Sequence, residues 1–122
     1  MERIWLQSYP PGIPAEIDVD EFSSIGDLFN RSVSQYSERT AYVNMGKSIS
    51  YAALARLSAR FPVYLQGVLK LPRGAPVSLL MPHLLPSPVP LFGALRAGHL
   101  VSRVHPLDTR PPLEHLLPAT GP

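Results

Sequence analysis

The chain has 122 residues, 45% of them hydrophobic, no cysteine and a net charge of +2, which suits one domain or part of one. The absent cysteine excludes a disulfide scaffold, a thiolate zinc site and cysteine catalysis, and it fits a cytosolic protein. Ordinary hydrophobicity with low net charge excludes uniform disorder, and lysines and arginines scattered singly along the chain argue against nucleic acid as a partner.

Residues 1–21 read as an extended lead-in, in which Trp5, Tyr9, Pro10, Pro11 and Pro14 favour an irregular or polyproline-like course. Met1 to Trp5 lack a basic region followed by an apolar stretch, so no signal peptide is expected. Ser24 and Asp27 fit a helix N-terminus. Ile25, Leu28, Phe29, Val33 and Tyr36 then fall at helical spacing, which predicts a helix over 25–37. Residues 40–44 read as a strand, Met45-Gly46-Lys47 as a tight turn and 48–50 as the return strand of a hairpin.

Ser50 can cap a second helix whose apolar face carries Leu54, Leu57, Phe61, Leu65 and Val68. Pro62 interrupts that face. It removes an amide donor and crowds the carbonyl of Ser58, which predicts a kink or an early end. Leu71 to Gly74 form a turn, and Val77 to Met81 read as a buried strand. A helix over 88–97 starts with Pro88 in its first turn and ends at Gly98 as a left-handed cap. Leu100 to Val104 are a further strand, and Thr109 could cap a last short helix. The strand–helix–strand at 77–104 is a βαβ unit, which implies a parallel pair and an α/β fold.

Residues 62–122 hold twelve of the fifteen prolines, a divergent, Pro-rich half. Residues 74–95 carry no charge and are long enough to span a bilayer. Five prolines inside them argue against a spanning helix. The alternative is a small membrane-associated protein using this stretch.

The residues supply no catalytic constellation. No glycine-rich phosphate loop occurs, and Gly93 and Gly98 are explained by packing and capping. His83, His99, His105 and His115, with Asp108 and Glu114 near the last two, lack the spacing of a metal site and read as surface or half-buried histidines. A Ser–His105–Asp108 triad lacks its GxSxG elbow. Phe29, Tyr36, Phe61 and Tyr64 read as ordinary core. No catalytic, cofactor-binding or metal residue is therefore assigned.

Several stretches resemble bacterial long-chain fatty acid–CoA ligases, the AMP-forming acyl-CoA synthetases of the adenylate-forming superfamily. They are Ile4-Trp5-Leu6, Tyr9-Pro10, Ile13 to Ile17, Ala41 to Gly46, Tyr64-Leu65-Gln66, Leu80-Met81-Pro82, Leu113-Glu114-His115 and, most specific, Leu91 to Gly98. The resemblance implies an incomplete N-terminal α/β subdomain over 1–122, with one βαβ unit and a short hairpin. Such enzymes use ATP and magnesium to make an acyl-adenylate from a long-chain fatty acid, then transfer the acyl group to coenzyme A. Their phosphate loop, adenine-binding motifs and C-terminal lysine match no residue here, so this chain alone is expected to bind none of these cofactors and to be inactive. The resemblance also implies a homodimer, or pairing with a full-length ligase, and a cytoplasmic location with peripheral contact at the inner membrane.

The departures are concentrated after residue 61. Where relatives usually read Met-Pro-Asn, this chain has Met81-Pro82-His83. Where they read Val-Asn-Val-Asn-Pro-Leu, it has Ser102-Arg103-Val104-His105-Pro106-Leu107. Pro62, Pro76 and Pro90 stand where the family favours ordinary helix or strand residues. A truncated, degenerating or corrupted copy of a ligase N-terminus is the expectation.

Overall fold

The computed structural model describes residues 3–107. Between residues 3 and 21 the lead-in is irregular apart from a short 3-10 turn at Ile4–Ser8, and Arg3 pairs with Glu16 across it. The expected last helix at Thr109, and with it Asp108, Glu114 and His115, lies outside the described residues.

Helix α1 spans Ile25–Tyr36. The Ser24 hydroxyl accepts from the Asp27 amide at 3.1 Å, and the Asp27 carboxylate accepts from the Ser23 amide at 3.2 Å, so one exposed donor of the first turn and one just before the cap are satisfied. The Arg31 side chain, one turn on, donates to Asp27 at 3.1 Å. That bond, then the Ser23 amide, hold the Asp27 carboxyl below its ordinary value. A lowered folded-state value contributes stability above the unfolded pKa, and the contribution disappears as pH falls through the folded one. The start of α1 should therefore fray below about pH 4. Faster exchange of the Asp27 amide under those conditions checks this, and unchanged protection would count against the contact.

Strands β1 (Thr40–Asn44) and β2 (Lys47–Ser50) form the hairpin, antiparallel, with a bulge at Ala41. The turn is Met45-Gly46 alone, with φ of 49° and 72°. Two left-handed residues match the twist of the flanking strands, so Lys47 joins β2 rather than the turn.

Helix α2 spans Tyr51–Val63, capped by the Ser50 hydroxyl on the Ala53 amide at 3.2 Å. It runs through Pro62 without ending there. Its continuation, Tyr64–Val68, is wound as a π-helix. The wider turn is a known response to a helical ladder that has lost a bond. Of the other surplus prolines, Pro76 opens strand β3 (Pro76–Leu80) and Pro90 sits in the first turn of helix α3 (Pro88–Arg96). Neither position needs the missing amide, so Pro62 is the one that interrupts an element.

Strand β4 (Leu100–Val104) pairs parallel with β3, Pro76 opposite Leu100 through Leu80 opposite Val104, which completes the βαβ unit. The core lies where α2 and α3 cross above this pair: Leu65, Ala94 and Ala97 are buried, with Phe61, Leu71, Val77 and Val101 packed against them. The Phe29 and Phe92 rings stack at 4.2 Å and join α1 to α3.

Three burial expectations need correction. Strand β3 is only half-buried; Leu80 is 64% exposed. A parallel sheet is normally covered on both faces, and this pair carries its helices on one. Tyr64 is not core: it is 48% exposed, while the next residue, Leu65, is buried. His99 is fully buried rather than at the surface or half-buried, and its Nδ1 donates to the carbonyl of Ala75 at 3.1 Å.

Candidate functional site

Open parallel sheets carry their ligands beyond the carboxyl ends of the strands. Here those ends are Met81-Pro82-His83 after β3 and His105-Pro106-Leu107 after β4. The register brings them together, since Leu80 is level with Val104. Arg103, near the end of β4, donates from Nη2 to His83 Nδ1 at 3.0 Å. The His83 and His105 rings stack at 5.9 Å. Leu107 donates its amide to His105 Nδ1 at 3.2 Å. A cleft of about 160 Å³ beside them is lined by Tyr42 and Asn44 of the hairpin, by Leu84 and Leu91, and by His83 and Arg103. From sequence His83 and His105 read only as surface or half-buried histidines and Arg103 carries no site signal, because the three basic residues become neighbours only through the strand register.

Gly93 and Gly98 have mechanical roles. A Cβ on Gly93 would lie 2.5 Å from Phe61 Cβ and 2.9 Å from the Ser58 carbonyl oxygen, so its bare backbone lets α3 cross α2. Gly98 has φ of 78° and lies under the Arg73 side chain. Neither offers a cradle for an anion. Among the described residues no group of three His, Asp or Glu could hold a metal ion.

Arg96 fastens the same crossing. Its Nη1 donates to the Ala55 carbonyl at 3.0 Å and to the Ser58 hydroxyl at 3.1 Å, and its guanidinium lies over the Phe29 ring at 5.8 Å. Arg96→Met keeps the apolar stem and loses the bonds. A loss of about 1–2 kcal/mol is expected, limited by water reaching the partly exposed head. The urea midpoint measures it, and an unchanged midpoint would mean solvent replaces both bonds.

The string Leu91 to Gly98 thus holds Gly93, Arg96 and Gly98, each with a structural reason for its identity. The AMP-binding enzyme pattern matches residues 29–122. The chain belongs to the AMP-binding enzyme family. It is 44% identical over 121 residues to a long-chain-fatty-acid--CoA ligase of Yersinia pestis and 45% identical to one of Escherichia coli O157:H7. Each alignment covers 99% of this chain and 22% of the relative, so the chain spans about a fifth of the length of the curated relatives it matches. The fold is similar to the N-terminal subdomain of NpsA from Klebsiella oxytoca, with a TM-score of 0.73 at 18% identity over 80% of this chain and 26% of that one. It is also similar to VinN, with a TM-score of 0.71 at 20% identity over 80% of this chain and 26% of that chain. The AMP-binding chain is therefore an N-terminal α/β piece of an adenylate-forming fold. No helix among the described residues is long and apolar enough to cross a membrane.

Proposed function

We propose that this chain is the N-terminal scaffold of a long-chain fatty acid–CoA ligase and contributes shape rather than catalytic groups. The alignment to ligases over 99% of the chain carries the reading. The Gly93–Arg96–Gly98 crossing supports it, since the family string does structural work here. ATP, magnesium and coenzyme A belong to the whole enzyme. Gly93 and Gly98 pack against Phe61 and Arg73 and leave no glycine cradle for a phosphate among the described residues. No step through these groups is assigned to this chain. The family reading carries with it a cytoplasmic enzyme with peripheral membrane contact.

The isolated chain should give no fatty-acid-dependent ATP–pyrophosphate exchange. A chimera in which residues 1–107 replace the matching stretch of the Escherichia coli ligase should retain exchange. Turnover by the isolated chain, or a folded but dead chimera, would overturn the reading.

A second reading rests on an open apolar trough of about 570 Å³ beside β3, lined by Leu57, Phe61, Leu79, Leu80, Met81 and Val89. Uncovered apolar surface of this kind marks an interface. It favours pairing with a second copy or with a full-length ligase, which co-purification with that ligase would test.

A further inference from the structure

We draw no further inference here: the strongest candidate, the half-open cleft of about 180 Å³ between α1, β1, α2 and α3 lined by Leu28, Phe29, Tyr42, Tyr51, Leu54 and Phe92, is an apolar face for which nothing in the structure shows what covers it.

Discussion

Gly93→Ala should destabilise the chain by about 1–3 kcal/mol, a large share of the roughly 5–15 kcal/mol that holds a typical domain together. Alanine would improve helix propensity by about 1 kcal/mol. Sterics outweigh that gain. The new methyl would meet Phe61 Cβ at 2.5 Å and the Ser58 carbonyl oxygen at 2.9 Å. Both atoms are fixed to the α2 backbone, so no rotamer change can move them aside. Relief requires α3 to lift from α2, which opens the layer of Leu65, Ala94 and Ala97. The Arg96 bonds to Ala55 and Ser58 would stretch with it. Gly67→Ala is the matched control, because nothing lies within 4 Å of its position. It should be neutral or slightly stabilising. Urea unfolding followed by far-ultraviolet circular dichroism measures both. Equal midpoints for Gly93→Ala and the parent chain would mean the helices do not cross at this residue.

Local features of the fold were readable before the structure was known. Ser24 and Asp27 placed the start of α1, Met45-Gly46-Lys47 placed the hairpin turn to within one residue, and Pro88 with Gly98 bracketed α3, because each signal depends on near neighbours. Burial was less legible. The run Val77 to Met81 is apolar enough for a covered strand, but coverage depends on layers elsewhere in the fold, and β3 has helices on one face only. The basic cluster was invisible for a related reason. His83 is twenty residues from Arg103 in sequence, and only the parallel register makes them neighbours. The family string could be recognised from sequence, but its reason could not. Gly93 reads as a packing residue and Arg96 only as part of the helix end, and their shared partner Ser58 lies on another helix.

The proline surplus leads to the second large effect: Pro62→Ala should stabilise the chain by about 1–3 kcal/mol. Proline in a helix interior costs about 3 kcal/mol through its lost amide and its clash with the preceding turn. Proline also restricts the unfolded chain, so removing it gives back about 0.4–1 kcal/mol in the opposite direction. The helical term is larger. Pro62 lies one residue from the end of α2, and Ser58, whose carbonyl it deprives of a donor, is fully buried. The following Tyr64 amide is shared between the carbonyls of Arg60 and Phe61, and Leu69 then bonds back to Tyr64 in π fashion. Alanine at position 62 restores the donor to Ser58 and should let Tyr64–Val68 rewind as α-helix. Amide exchange reads both consequences: a protected amide at residue 62, and slower exchange through residue 68. A lower thermal midpoint for Pro62→Ala would show instead that the π turn is required to seat Leu65 in the core. By the same physics Pro76→Ala and Pro90→Ala should lose about 0.4–1 kcal/mol, since a strand's first residue and a helix's first turn have no bond to regain and only the unfolded-chain restriction is given up. The proline-rich composition of residues 62–107 thus reduces, in its energetic cost, to one position.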